Sequence, residues 1–319
     1  MSGRYQREWS VAVAYGVLLG TLAIAAPAFY TGDKVRTILV GSAPVLVAAV
    51  GMTAVIVTRQ IDISIGSQFS ICGVAAGLLA QAGVPMPVVM LGSLLLGAGL
   101  GAVNGVLVAG LGLPSIVVTL ATMVTLREGL RWYQQGEFVR NLPPSFQWFG
   151  LGQSAGQWLI IAAALGIWLV GTWGLRYVAG GRAFYAVGSD LEAARLVGIR
   201  PRRIVFAVFL LMGVLTGLAA LLHATRFADV DPNAGLGLEL QVIAAVVVGG
   251  TAISGGRGTL AGTLIGVALL ATIGPALVFL GTEAHWEKAI QGTIILVAVA
   301  ADTFPGKRRR HAPTSLVKP

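Results

Sequence analysis

Charge is what this sequence has least of. Only 11% of its 319 residues are Asp, Glu, Lys or Arg, and 56% are hydrophobic. Soluble domains carry about 25% charged residues, so a water-soluble chain is excluded. A lone cysteine, Cys72, excludes an internal disulfide framework and reads as a small buried hydrophobe. The three histidines, His223, His285 and His311, lie far apart without metal-ligand spacing. No Gly-x-x-x-x-Gly-Lys-Ser/Thr loop occurs, so the chain does not hydrolyse nucleotide by a P-loop. The strand alternation of a membrane β-barrel is missing as well.

What is present is a series of apolar runs near the ~20 residues that a spanning helix needs. They predict an all-α, polytopic integral membrane protein of about ten transmembrane helices. The spans fall at about 10–30, 37–58, 63–82, 86–110, 115–133, 157–178, 204–223, 240–252, 259–280 and 286–303. No hydrophilic segment is large enough for a soluble domain, so residues 1–319 read as one membrane-spanning domain. The first run exceeds the 7–15 apolar residues of a signal-peptide core and reads as an uncleaved span. With both termini inside, fifteen of the 22 Lys and Arg fall on the cytoplasmic side and seven outside. The positive-inside rule is met, and the net charge of +9 reports topology rather than nucleic-acid binding.

The longest basic island, 179–203, falls in a cytoplasmic loop. Ala193 and Ala194 behind Glu192, with Gly198 four residues on, predict a short helix ended by glycine. One reading seats that helix in a groove of a cytoplasmic partner; the other takes the loop as an orientation signal only. Two glycine ladders, Gly97/Gly101/Gly105 and Gly258/Gly262/Gly266, each put small residues on one helix face and predict close packing seams. Asp62-Ile63-Ser64-Ile65-Gly66-Ser67 and Ala252-Ile253-Ser254-Gly255-Gly256-Arg257 are two polar, glycine-bearing entries into apolar runs. They leave room for broken or re-entrant segments, and the span count puts both on the same side.

Catalysis has little support, and no cofactor is called for. Gly256-Arg257-Gly258-Thr259-Leu260-Ala261 matches a relaxed dinucleotide fingerprint but lacks the preceding strand and the later acidic residue, so it reads as a turn. Asp62 reads as a helix cap, as a group facing a transport route, or both. A neutral polar substrate needs hydrogen-bonding groups, and Asp62, Ser64, Ser67, Asn104, Thr119, Thr122, Glu239 and Gln241 are the candidates within or beside spans. Outside, Arg127, Arg140 and Arg226 are offered for charge pairs with a soluble partner. Mid-span ionisable residues are scarce, which weighs against an ion-coupled secondary transporter. A membrane enzyme is disfavoured because no acid, base or metal set is apparent.

Five ordered segments resemble one family. They are Thr58-Arg59-Gln60-Ile61-Asp62-Ile63-Ser64-Ile65-Gly66-Ser67; Asn104-Gly105-Val106-Leu107-Val108; the run from Pro114 to Met123; Gly181 to Arg195; and Ile243 to Thr251 followed by Ser254-Gly255-Gly256-Arg257-Gly258. From about residue 40 to 303 the chain resembles the permease subunits of bacterial ATP-binding-cassette importers for ribose-type sugars. Ser189-Asp190 stands where Gly-Asn is usual. The Thr-Arg-x-Ile-Asp form and Cys72 are similar to the autoinducer-2 and rhamnose branch. The resemblance implies a single permease domain in the bacterial inner membrane, paired with itself or a sister permease. It implies a cytoplasmic ATPase meeting the 179–203 loop through Gly181, Arg182, Glu192, Ala193, Ala194, Arg195 and Gly198, and an extracytoplasmic sugar-binding protein.

Overall fold

The computed structural model describes residues 6–279, 281 and 286–303. Arg4, His285, His311 and the basic run at 307–310 lie outside them. Among the described residues the chain is a bundle of α-helices: α1 (Gln6–Ala25), α2 (Gly32–Val57), α3 (Ile65–Gln81), α4 (Met86–Gly105), α5 (Ser115–Gln134), α6 (Gln153–Tyr177), α7 (Ala179–Ser189), α8 (Leu191–Leu196), α9 (Pro201–Ala224), α10 (Leu238–Val248), α11 (Leu260–Phe279) and α12 (Trp286–Thr303). Ten of these overlap the ten expected spans, α10 covering only part of its own. The other two, α7 and α8, occupy the basic loop. Helices α2, α4 with its π-helical extension Val106–Gly110, α6, α9 and α11 are long and apolar enough to cross a bilayer. The protein is an all-α polytopic membrane protein.

Helix α2 is the axis of the bundle. From Ala43 to Val57 every side chain is buried, and α6, α9, α10 and α11 pack around it. A helix apolar on all sides belongs inside a bundle. Helices α3 and α4 lean on α9, and α1 runs along α11. Polar side chains also join spans: Thr53 Oγ1 lies 2.8 Å from Thr263 Oγ1, and Trp168 Nε1 donates to the Leu260 carbonyl at 2.7 Å.

The first glycine ladder forms the tightest seam. A Cβ on Gly97 would lie 2.2 Å from the Gly213 carbonyl oxygen, and one on Gly213 would lie 2.1 Å from that of Gly97. Gly101 meets the Phe209 carbonyl in the same way. The backbones of α4 and α9 therefore touch, and dispersion takes over where lipid gives no hydrophobic drive. The second ladder needs a correction. Gly262 and Gly266 face Gly249 and Ala245 of α10, but α11 starts at Leu260 and Gly258 lies in the preceding turn, against the Thr251 side chain. The helix expected over 240–252 also differs. Helix α10 has 11 residues, about 16 Å at ~1.5 Å per residue, roughly half of a ~30 Å hydrocarbon core. Helix α10 is too short to span alone, and residues 225–237 before it are not helical.

Gly213→Leu should prevent assembly of the α4–α9 seam, since overpacking costs about 1–3 kcal/mol even where neighbours can shift. Gly99→Leu is the control, because nothing lies within 4 Å of its Cβ position. Size-exclusion profiles after solubilisation should show Gly99→Leu intact and Gly213→Leu lost.

Candidate functional site

The basic loop is built as a platform. Arg182 donates to the Tyr177 carbonyl at 2.8 Å, and Gly181 lets α7 fold back tightly on α6, its Cβ position only 2.2 Å from the Gly174 oxygen. At the other end of α7, Gly188 sits where a Cβ would fall 1.7 Å from the Val57 oxygen and 2.8 Å from the Gly256 nitrogen. The Gly256 amide donates to that Val57 oxygen at 2.9 Å. Arg59 bonds the Ser189 carbonyl at 2.6 Å, and Tyr185 Oη bonds the Gly258 carbonyl at 2.9 Å. The second polar entry thus meets α7 directly, while the first faces inward and only Val57 and Arg59 just before it reach α7.

Helix α8 is short but capped at both ends. Asp190 accepts from the Glu192 and Ala193 amides at 2.9 and 3.0 Å, the N-cap role that Asn fills equally well. Gly198, in the left-handed region at φ 82°, closes the other end. Its amide bonds the Arg195 carbonyl and that of Ile199 bonds Ala194, the two bonds of a Schellman motif. Glu192 and Arg195 pair on the outer face at 2.7 Å. Ala193 is exposed, while Ala194 is turned inward at 3% exposure; the outward apolar side chains are Leu196 at 89%, Val197 at 74% and Leu191. Arg195, Arg200, Arg202 and Arg203 line an open basic hollow beside them.

Inside the bundle the structure gathers several of the polar candidates. Asp62 is fully buried and accepts from the Ser64 amide at 2.9 Å and the Ser64 hydroxyl at 2.5 Å. That hydroxyl in turn accepts from Gln68 Nε2 at 2.7 Å and Asn104 Nδ2 at 2.8 Å. Thr119 bonds the Ile61 carbonyl and its own helix, and Ser67 bonds the Met123 carbonyl at 2.7 Å. Thr122 bonds only within α5, to Val118 and Thr119. Gln241 is half-buried on α10, away from the Asp62 group. Arg59, three residues before Asp62, reaches the Ser189 carbonyl rather than that carboxylate.

The outer arginines are not alike. Arg127 points into the bundle, with Nη2 3.7 Å from Oε1 of Glu239. Arg226 is largely covered, stacked over Phe227 at 5.3 Å with Nη2 toward Gly41 of α2. Arg140 is exposed beside the Val139–Val230 bridge, its carbonyl accepting from Gln81. Sequence reasoning missed the junction residues Gly188 and Tyr185 and the outward pair Leu196/Val197. It also missed an outer cavity of about 420 Å³ lined by Phe69, His223, Phe227 and Asp231. Among the described residues no three His, Cys, Asp or Glu side chains gather as a metal set.

Loss of the α8 cap gives a direct test of the platform. Asp190→Ala should cost about 1 kcal/mol of local stability and Asp190→Asn almost nothing. Hydrogen exchange of the 191–198 amides should quicken in the first variant and stay unchanged in the second.

Comparison with known proteins agrees with this architecture. Residues 35–299 match the family described as branched-chain amino acid transport system, permease component. The autoinducer 2 import system permease protein LsrC of Enterobacter sp. (strain 638) is 35% identical over 296 residues, covering 93% of this chain and 86% of that protein. The ribose import permease protein RbsC of Escherichia coli (strain K12) is 35% identical over 299 residues, covering 91% and 92%. LsrC of Escherichia coli (strain K12 / DH10B) is 37% identical over 279 residues, covering 86% and 80%. No solved structure matches. A helical membrane bundle with a matched span of this length belongs to that family: the chain is a permease component of an import system.

Proposed function

We propose that this chain is the membrane subunit of an ATP-driven importer that carries a sugar or sugar-like small molecule into a bacterial cell across its inner membrane. The observation that carries the reading is α8, an apolar tip presented to the cytoplasm on a base pinned to the bundle axis. Leu196 and Val197 bury almost nothing within the chain, as a contact for a partner protein requires. The surrounding arginines favour an acidic groove in that partner, a cytoplasmic ATPase. Both termini then face the cytoplasm, and an extracytoplasmic binding protein delivers substrate at the opposite end, where Arg140 is the freest of the three arginines named for docking.

The relatives named for ribose and autoinducer 2 support a hydroxyl-rich substrate. So does an interior furnished with hydroxyl and amide groups around Asp62. A second copy or a sister permease is the natural neighbour for α5, whose Ile116, Val117, Leu120 and Val124 are exposed. Lipid covers the remaining outer faces.

Replacing both Leu196 and Val197 with Asp tests the coupling role, since neither side chain supports the fold. Uptake in proteoliposomes holding the ATPase and binding protein should fall about tenfold or more, as loss of a buried interface anchor predicts, with the permease intact. Full uptake in that variant would show that α8 does not couple. Ala194 is a poorer probe, because a large residue there would lift α8 off the bundle.

A further inference from the structure

We propose that Arg127 and Glu239 together bind one hydroxyl group of the transported molecule. The proposal rests on the importer reading above and assigns the substrate contact within it. Their contact distance of 3.7 Å is longer than the ~3.2 Å limit of a good hydrogen bond. Arg127 Nη2 and Glu239 Oε2 are both buried with no hydrogen-bond partner. One is an unmet donor and the other an unmet acceptor. A hydroxyl group is both acceptor and donor, so one O–H can accept from Arg127 Nη2 and donate to the Glu239 carboxylate. An ammonium group would leave the arginine unmet, and a carboxylate would be repelled by Glu239. The chemistry selects a neutral polyol.

The surroundings are shaped for this pair. A Cβ at Gly66 would lie 2.2 Å from Glu239 Oε2, so glycine at the start of α3 makes the space that the carboxylate occupies. Glu239 stands in the first turn of α10, where the broken span begins. Arg127 lies roughly 18 Å along α5 from Ser115 at ~1.5 Å per residue, and its guanidinium turns toward α10. Ser67, which anchors α3 to the Met123 carbonyl, and Asn233 line the narrow space beside Arg127. Charged atoms buried without a hydrogen-bond partner are costly, and a polar ligand that meets them offsets that cost.

The test uses the complete transporter, with its ATPase and binding protein, in proteoliposomes, and D-ribose and xylitol as probes. Arg127→Met with Glu239→Met removes both hydroxyl partners without stranding a buried charge. It should leave the protein folded with Tm not lowered, since apolar replacement of a buried ion pair is close to neutral, but reduce uptake about tenfold or more, the scale of a lost charge-assisted hydrogen bond. The exchanged pair, Arg127→Glu with Glu239→Arg, still offers one donor and one acceptor and should restore much of the uptake. Undiminished uptake in the double Met variant overturns the proposal, and points to water between the two groups. Loss that the exchanged pair fails to rescue, in folded protein, contradicts it too. Stimulated ATP hydrolysis without uptake of either polyol by the unaltered transporter sinks the hydroxyl assignment but leaves ATP coupling standing. Absence of stimulation in the unaltered transporter overturns the importer reading itself, and this assignment with it.

Discussion

The hydrogen bond from the Gly256 amide to the Val57 carbonyl, 2.9 Å long, is the contact on which the basic platform of this protein depends. Val57 is the last residue of the axial helix, and the final carbonyls of a helix have no partner within it. In a buried setting an unmet carbonyl costs about 1–3 kcal/mol. The turn before α11 supplies the missing donor, and two glycines make the approach possible. A side chain at 188 would collide with the Val57 oxygen, and one at 256 with Ser189. Three segments distant in sequence are thereby fixed to one point, and α8 extends outward from that point with Leu196 and Val197 exposed. A force applied to Leu196 and Val197 reaches the bundle axis through backbone contacts.

The outer half obeys the same rule of backbone satisfaction by other means. Where α10 is broken, residues 225–237 have no helical ladder, and irregular backbone at membrane depth survives only inside protein or around a cavity. Here the Gly235 amide donates to Ser70 Oγ at 3.1 Å, the Asn233 amide to Asp231 at 2.8 Å, and Val230 pairs with Val139. The break leaves a first helical turn, with Glu239 in it, inside the bundle, and opens the aromatic cavity between Phe69, His223 and Phe227. The two broken regions differ in kind: one ties α7 to the end of α2 through backbone contacts, and the other makes room for polar groups.

Much of this was legible in the sequence because it follows from hydropathy and from glycine. Long apolar runs have few solutions in a membrane, and the ten spans follow from them. Spacing of four along α4 pointed to a seam, and Gly198 marked the end of α8. Other features depend on contacts between segments and leave no local trace. Nothing around Gly188 says that its missing Cβ faces Val57, 131 positions earlier in the numbering. Arg127 reads as an outer charge until α5 and α10 are placed side by side, when Glu239 becomes its partner. The run through residue 252 looks continuous because Gly249 and Gly250 are as apolar as a helix requires. Only the return of the chain onto Val57 shows why it stops at Val248.

Amide hydrogen exchange of the membrane-embedded permease, with and without its cytoplasmic ATPase, tests the central claim most directly. If α8 is the contact and the Val57–Gly256–Gly188 junction its anchor, adding the ATPase should slow exchange most strongly across residues 185–199. A smaller slowing should follow at 255–258, and none in the loop bearing Arg140. Unchanged exchange across 185–199, with protection appearing at other cytoplasmic segments, would contradict the account.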